Sequence, residues 1–291
     1  MVNSKDMAES QDEFQSTEIN FVESGLGAPV ILIHGMAASL HDWKSMLPAL
    51  DQARYHGYAL DLPGHGDSGK PEDIRYYHTQ AVYQQMEAWI AKLKLNQPAY
   101  LVGHSLGGYF GLEFARRNPQ LVRGMVLISP LYTPDQLTPL MRRLNWKPQW
   151  SERVWSLIPE WLVNISMQLD PTHTTRIPDE DRHQIAADFK RSAPQIVHTI
   201  DGINDLTPQL ADIAAPCLVI WGERDITLNP VFYTRLVAGL PNAQGFNLPG
   251  CGHQPHIEQA QTVNFLVAKF FDRLVKSESS IPLANLPLAE G

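Results

Sequence analysis

The chain has 291 residues, of which 44% are hydrophobic and 19% are charged, a composition typical of a folded globular protein. Its 31 acidic and 23 basic side chains give a formal net charge of -8, which disfavours nucleic acid and anionic membranes as partners. No apolar run approaches the roughly 20 residues that cross a bilayer, and residues 1–20 lack the apolar stretch of a secretory signal. Two cysteines are too few for a disulfide framework, so we expect a cytoplasmic protein.

Short apolar runs alternate with longer helical patterns along most of the chain. Helices are predicted after Thr79, where apolar residues recur every three or four positions, and after Ser105, where the helix ends at Arg116-Arg117 and Pro119. The alternation predicts a mainly parallel sheet wrapped by helices. The predicted strands are INFVES (19–24), PVILIH (29–34), YHGYALDL (55–62), AYLVGH (99–104), GMVLISP (124–130), CLVIWG (217–222) and AQGFNLPG (243–250).

The alternation is interrupted between Leu131 and Leu206, where prolines separate short helical stretches and no strand pattern appears. This predicts a helical cap at 131–206, over the carboxyl ends of the strands, where ligands bind in open α/β sheets. The core then comprises 14–130 and 207–276, with loose termini at 1–13 and 277–291. Four tryptophans in the insertion either attach it to the core or line an apolar cleft: Trp146, Trp150, Trp155 and Trp161.

The segment Gly103-His104-Ser105-Leu106-Gly107 matches the pattern G-x-S-x-G between a predicted strand and a predicted helix. In such an elbow the serine occupies a sharp, strained turn, and a Cβ on either glycine would crowd the neighbouring backbone. A serine hydroxyl is a weak nucleophile, so it needs a base and donors that hold an oxyanion. The helix that begins here offers one donor, the Leu106 N–H. An ordinary N-cap serine is the alternative.

These features resemble the α/β-hydrolase superfamily, and the resemblance covers residues 18–274. It implies the α/β-hydrolase fold, with a mainly parallel twisted sheet, flanking helices and an inserted helical cap. Ile33-His34-Gly35-Met36 is similar to the oxyanion loop of that family. The resemblance therefore implies that the Met36 N–H is the second oxyanion donor, and a simple glycine turn is the alternative.

The histidine base follows the acid in the chain order of this superfamily. Residues 252–258 match the family pattern G-H-x-x-x-x-E if His253 is the base, which leaves His256 as a surface or packing residue. The two histidines could also bind a metal, but no carboxylate or cysteine cluster completes a zinc site at the usual spacing. We therefore expect no metal.

The acid should follow a strand and reach the histidine. Asp225 lies directly after the strand CLVIWG and resembles the acid of the family pattern W-G-x-x-D. Glu223 fits this pattern less well. Asp201 and Asp205 would have to reach the histidine from the end of the insertion.

Residues 61–69 resemble the family segment D-x-P-G-x-G-x-S, which we interpret as a tight turn beside the site. The glycines of this segment also imitate nucleotide-binding loops. However, Pro71 stands where a phosphate-binding loop needs serine or threonine after Lys70, and no helix begins at these glycines. We therefore expect no nucleotide cofactor.

The resemblance implies a Ser-His-Asp hydrolase in which Ser105 attacks, His253 accepts the proton and Asp225 orients the imidazole, without any cofactor. A carboxylesterase acting on a small apolar substrate is the leading hypothesis. The alternatives are a C–C bond hydrolase of the meta-cleavage type, a lactonase, and a non-catalytic ligand receptor of the same fold. Serine at position 105 argues against epoxide hydrolases and haloalkane dehalogenases, whose family members use aspartate there.

Overall fold

Seven strands form one sheet in the order β1-β3-β2-β4-β5-β6-β7 in a computed structural model that describes residues 17–137, 148–169 and 177–279. β1 runs antiparallel to β3, and the other neighbouring pairs are parallel. All seven predicted strands are present, so the mainly parallel sheet is confirmed. The strands are β1 (Phe21–Ser24), β2 (Ala28–Ile33), β3 (Tyr55–Leu60), β4 (Ala99–His104), β5 (Val122–Ile128), β6 (Cys217–Gly222) and β7 (Ala243–Leu248).

Helices cover both faces of this sheet. Successive residues of a strand point to opposite faces: Ile31 and Ile33 pack in one buried cluster, and Val30 and Leu32 in another. α2 and α3 contribute to the first cluster, and α1 and α10 to the second. The helices are α1 (Met46–Gln52), α2 (Thr79–Lys92), α3 (Leu106–Arg117), α4 (Pro148–Leu157), α5 (Glu160–Leu169), α6 (Asp179–Arg191), α7 (His198–Asp201), α8 (Val231–Gly239), α9 (Pro255–Glu258) and α10 (Ala260–Ser279).

The interior strands β4 and β6 are buried along their whole length, whereas the edge strands β1 and β7 are largely exposed. Parallel strands that helices cover on both faces carry continuous apolar runs instead of alternating ones. The runs AYLVGH and CLVIWG show this pattern in the sequence. Both strands therefore have neighbours on either side, and the residues that follow them lie at the same carboxyl edge of the sheet.

The insertion between β5 and β6 contains α4 to α7 and, in its described residues, no strand. Trp155 stacks on Phe189 with ring centroids 4.1 Å apart and packs against a small buried cluster around Tyr77. In contrast, Trp150 and Trp161 are 65% and 62% exposed. Trp155 therefore helps to attach the insertion to the core, as one of the two expectations for the tryptophans had it, whereas Trp150 and Trp161 do not pack in this way. Trp146 lies outside the described residues.

The C-terminal helix α10 continues to Ser279, so the prediction that a loose terminus begins at residue 277 is wrong for its first three residues. Residues 277–279 contain no proline or glycine, and the first proline after them is Pro282. The helical hydrogen bonds can therefore continue for another turn. Among the described residues, no helix combines the length and apolar character that crossing a membrane requires.

Candidate active site

Ser105 occupies the turn between β4 and α3 with φ 51° and ψ −115°. A positive φ is strained for a residue with a side chain, and such strain often marks functional positions. The Ser105 N–H donates to the carbonyl oxygen of Ile128 in β5 (3.0 Å), and its own carbonyl accepts from the Leu131 N–H (2.9 Å). The side chain makes no capping hydrogen bond to α3. The alternative of an ordinary N-cap serine is therefore wrong.

Two glycines allow this turn to form. A Cβ on Gly103 would lie 2.5 Å from the Gly107 carbonyl oxygen, and a Cβ on Gly107 would clash with the carbonyl oxygen of Ile33 at the end of β2. Any larger residue would therefore push α3 away from the strands beneath it. The close approach brings the start of α3 and the loop after β2 together at one edge of the sheet.

Asp225 and His253 follow β6 and β7, and the structure brings them into contact. The His253 Nδ1 lies 2.8 Å from the Asp225 Oδ2, and the aspartate side chain is fully buried while 16% of the histidine side chain is exposed. The other carboxylate oxygen, Oδ1, accepts the N–H groups of Thr227 and Leu228, each at 2.9 Å. The carboxylate is therefore fixed, and it holds the proton on Nδ1 so that Nε2 can act as a base.

Backbone contacts hold the Asp225 and His253 loops side by side. The Arg224 N–H donates to the Cys251 carbonyl oxygen (2.8 Å), and the Glu223 N–H donates to that of Leu248 (3.0 Å). A Cβ on Gly222 would clash with the carbonyl oxygen of Gly252. The separation of the acid and the histidine is therefore set by the backbone and not only by their own side chains.

Glu258 supports the His253 loop, a role that sequence reasoning missed. Its Oε2 accepts the Gly252 N–H (2.9 Å) and its Oε1 accepts the Gln254 N–H (3.1 Å), so one buried carboxylate binds the amides on both sides of His253. The pattern G-H-x-x-x-x-E already contained this glutamate. Only the fold shows what its carboxylate binds.

His104 contacts the same loop from the other side. Its Nε2 lies 3.0 Å from the His253 carbonyl oxygen, which can only accept, so Nε2 carries a proton. Burial lowers the pKa of His104 well below its ordinary value, and the neighbouring His256 and His253 lower it further. The ring is therefore neutral, and its Nδ1 is an acceptor.

The loop after β2 lies directly beside Ser105, because a Cβ on Gly35 would be 3.2 Å from the Ser105 Cβ. The His34 Nε2 accepts the Leu62 N–H (2.9 Å), which leaves the proton on Nδ1 to bind the Gly35 carbonyl oxygen (2.6 Å). The C=O and N–H of a trans peptide point in opposite directions. His34 therefore fixes the direction of the Met36 N–H.

The Leu106 N–H lies at the first position of α3, where backbone N–H groups have no acceptor within the helix. It is therefore available to an oxygen atom bound beside Ser105. The sequence prediction placed one donor here and the other at Met36. Leu106 directly follows Ser105 in the chain, and Gly35, the residue before Met36, lies beside Ser105.

The other predicted acids have different partners. The Asp205 carboxylate accepts the N–H (3.0 Å) and hydroxyl (2.6 Å) of Thr207. Asp201 lies 3.7 Å from the Nδ1 of His198, within the insertion, and Glu223 is exposed. His256 is buried against the rings of Trp43 and His104, so of the two expectations for it the packing residue agrees with the structure and the surface residue does not.

The segment 61–69 forms the expected tight turn. Gly64 and Gly66 adopt φ values of 81° and 47°, and the Asp61 carboxylate accepts the backbone N–H groups of Leu40 (2.7 Å) and Asp67 (2.9 Å). Asp61 thus holds the turn and joins it to the loop after β2. Its carboxylate therefore has a structural role.

A cavity of about 440 Å³ lies away from these residues. It is lined by Ile90, Leu95 and Leu121 and by Ala99, the first residue of β4, whereas Ser105 follows the last residue of that strand. The cavity is therefore at the opposite edge of the sheet. It carries no part of the candidate active site.

Comparison with known proteins places this chain in a family. Residues 28–260 match the family model described as the alpha/beta hydrolase fold. The chain is 26% identical over 266 residues to the 2-hydroxy-6-oxononadienedioate/2-hydroxy-6-oxononatrienedioate hydrolase of Paraburkholderia xenovorans (strain LB400), covering 87% of this chain and 90% of the relative. It is also 24% identical over 303 residues to the bifunctional epoxide hydrolase 2 of Rattus norvegicus, covering 90% of this chain and 54% of the relative.

The chain therefore spans about half the length of that epoxide hydrolase. Among solved structures, a thermophilic esterase from Thermogutta terrifontis superposes with a TM-score of 0.77 at 23% identity, covering 89% of this chain and 94% of the esterase. The family model, the sheet order and this superposition agree on the fold, and the named relatives are hydrolases. The chain belongs to the alpha/beta hydrolase fold family.

Proposed function

We propose that this protein is a serine hydrolase that cleaves a carboxylic ester of a small, apolar substrate through an acyl-enzyme. The observation that carries the proposal is the 2.8 Å contact between the His253 Nδ1 and the Asp225 Oδ2, beside an elbow that holds Ser105 at a positive φ. A buried carboxylate, an imidazole and a strained serine at one edge of a sheet match the roles of acid, base and nucleophile.

In the proposed reaction the Ser105 Oγ attacks the carbonyl carbon while the His253 Nε2 takes the hydroxyl proton. The Asp225 carboxylate stabilises the imidazolium that forms. When the tetrahedral intermediate collapses, the carbon–oxygen bond to the leaving group breaks and His253 returns the proton to the leaving alkoxide. A water molecule, deprotonated by His253, then attacks the acyl-serine and releases the acid, which restores the free serine.

The N–H groups of Met36 and Leu106 are the proposed oxyanion donors. Two features support them: the His34 contact that fixes the Gly35–Met36 peptide, and the position of Leu106 at the start of α3. Donors that are oriented before the reaction stabilise the developing charge without reorganisation, and removing one such donor costs about 10²- to 10³-fold in kcat.

We also propose that the insertion 131–206 is a cap that limits access to this site. Its residues Ala193 and Ile196 form a buried cluster with Tyr77 of the core, and Met36 packs against that cluster. Moreover, the Ser39 hydroxyl donates to the Asp188 carboxylate over 2.8 Å. The insertion is thus attached to the loop that carries a proposed oxyanion donor.

A C–C bond hydrolase is the second candidate, because the Paraburkholderia relative matches this chain over most of both lengths. Epoxide opening is disfavoured by chemistry, since Ser105 would form an ether with the opened ring. An ether has no carbonyl carbon for water to attack, so the enzyme would not turn over.

Labelling with a fluorophosphonate probe, together with hydrolysis assays, tests this proposal. Ester hydrolysis and labelling should both be lost in Ser105→Ala, with a rate decrease of at least about 10³-fold. p-Nitrophenyl esters, lactones and meta-cleavage diketones should be compared on the parent chain. Persistent labelling of the variant would refute the role of Ser105, and a preference for diketones would favour the second candidate.

A further inference from the structure

A buried cluster of three side chains lies behind His253, outside the set of residues that the proposed reaction uses. Asp42 comes from the short 3-10 helix Leu40–Trp43, His104 ends β4 and His256 lies in α9. Their exposed fractions are 6%, 2% and 1%. The Asp42 Oδ2 is 3.9 Å from the His104 Nδ1 and 3.6 Å from the His256 Nε2, and one ligand atom from each residue lies within 4.8 Å of the other two.

The Asp42 Oδ2 and the His104 Nδ1 face each other, and the His256 Nε2 lies beside them. The His104 Nε2–H is bound to the His253 carbonyl oxygen, which leaves the Nδ1 as the ring nitrogen that faces the Asp42 carboxylate. Within the part of the chain that the structure describes, the Asp42 Oδ2, the His104 Nδ1 and both ring nitrogens of His256 lack hydrogen-bond partners. Burying such groups without a partner is costly, and a cation between them would pair the Asp42 Oδ2, the His104 Nδ1 and one ring nitrogen of His256.

We propose that Asp42, His104 and His256 bind a divalent transition-metal ion of the zinc class. Imidazole nitrogens with a carboxylate oxygen suit zinc, cobalt or nickel, whereas magnesium and calcium prefer oxygen ligands alone. Zinc bonds of about 2.0–2.1 Å in a tetrahedron separate the ligand atoms by about 3.3 Å. The two Asp42 separations of 3.6 and 3.9 Å need a contraction of a few tenths of an ångström, and the ring nitrogens of His104 and His256, which lie within 4.8 Å of each other, must approach by up to about 1.5 Å; solvent would be the fourth ligand.

The surroundings also suit an ion. Histidine ligands usually donate their second ring N–H to a carbonyl or carboxylate, and His104 does so toward the backbone of His253. A cleft of about 50 Å³ reaches Asp42 and His256 from the side of α6, and Asp181 and Asp188 line it. At its rim Lys44 is paired with the Asp181 carboxylate at 2.6 Å. The cleft is therefore an acidic access route to the cluster.

Such an ion would join three segments that the chain brings together only by folding: the loop after β2, the nucleophile elbow and the short helix after His253. His104 directly precedes Ser105 and binds the His253 carbonyl. We therefore assign the ion a stabilising and positioning role. It takes no part in the proposed acyl transfer, so its presence can be tested apart from activity.

Metal binding by the full chain, freed of metal by dialysis against a chelator, tests the proposal. Titration with Co²⁺ should give one ion per chain with the visible absorption of four-coordinate cobalt, and Zn²⁺ should displace it and raise the melting temperature. Asp42→Asn and His256→Gln should each weaken Zn²⁺ binding by about 100-fold or more, since even loss of an outer partner of a ligand costs 10–100-fold.

His41→Gln is the matched control, because His41 lines the same cleft and contacts Asp188 but is not one of the three ligands. It should bind Co²⁺ like the parent. Absence of one-to-one binding, unchanged affinity in Asp42→Asn and His256→Gln, or loss of binding in His41→Gln would overturn the proposal.

Circular dichroism establishes that each variant is folded. If a variant fails to fold, anomalous diffraction from crystals of the parent chain soaked in Zn²⁺ decides instead. A peak between Asp42, His104 and His256 would support the site. A peak only at the cleft rim or between His253 and Asp225, or no peak, would refute it.

Discussion

The imidazole of His104 donates a hydrogen bond to the backbone carbonyl oxygen of His253 over 3.0 Å. The two residues are distant in the chain, and this bond ties the elbow that carries Ser105 directly to the loop that carries the proposed base. A shift of either loop would therefore change the approach of the base to the nucleophile. Errors of about 1 Å in such an approach can cost about 10²-fold in rate.

Replacement of His104 tests this bond. His104→Phe retains a ring but removes the donor, so we expect kcat to fall by about 2- to 13-fold while KM changes little, since a typical hydrogen bond contributes about 0.5–1.5 kcal/mol. Kinetics should be measured on metal-free protein, which separates this effect from ion binding. A rise in KM with unchanged kcat would show that His104 affects substrate binding instead of the geometry of the base.

The buried carboxylate of Asp225 should be required for catalysis but not for folding. Asp225→Asn leaves the shape of the side chain intact but removes the charge that holds the proton on Nδ1 of His253, so kcat should fall by about 10⁴-fold. Steady-state kinetics with a p-nitrophenyl ester measures this fall. The exposed Glu223 is the control, and Glu223→Gln should retain nearly full activity. Equal losses in both variants would contradict the assignment of the acid.

Loss of the Glu258 carboxylate should lower both the free energy of unfolding and kcat. Glu258→Ala leaves the N–H groups of Gly252 and Gln254 without their acceptor, which should cost about 1–3 kcal/mol in the free energy of unfolding and lower kcat. Glu258→Gln keeps one carbonyl oxygen and should restore part of both losses. Urea unfolding and ester hydrolysis measure the two effects. Parent-like kinetics in a folded Glu258→Ala would show that the loop holds its position without this carboxylate.

The buried His65 should make the protein less stable in acid. Burial lowers its pKa from 6.5 to about 3, with smaller contributions in the same direction from His34 and Lys70 and opposing ones from the backbone of Pro63 and Leu62. Above pH 6.5 both the folded and unfolded chains keep this ring neutral. Below it the unfolded chain binds a proton that the folded chain does not, so stability is lost as the pH falls from 6.5 toward 3.

For His65 alone this loss amounts to about 2 kcal/mol between pH 7 and pH 5, because each pH unit below 6.5 contributes about 1.4 kcal/mol. Urea unfolding of the parent and of His65→Gln at both pH values measures it. The variant cannot take up this proton and should show a shallower dependence. The exposed His78 provides the control, and His78→Gln should retain the slope of the parent. Identical slopes for His65→Gln and the parent would contradict the assignment.

Local patterns in the sequence were sufficient for the strands, the elbow and the acid and base candidates. A continuous apolar run such as CLVIWG is typical of a strand that helices cover on both faces. Gly103 and Gly107 lie within two residues of Ser105, and the turn there has no room for a side chain at either position. Asp225 and His253 were identified because each lies at a fixed distance from a recognisable strand end or motif. These features depend on short stretches of chain, so they can be predicted before the fold is known.

The tertiary structure alone decided how distant residues meet. The partners of Glu258 and the contact between His104 and His253 depend on which loops the sheet order places side by side. The cluster of Asp42, His104 and His256 could not be predicted from spacing, because its members lie on three separate segments that share no motif. A sequence motif reflects only the steric and hydrogen-bonding needs of residues close to it in the chain. Such a cluster instead arises from the packing of the whole sheet and its helices.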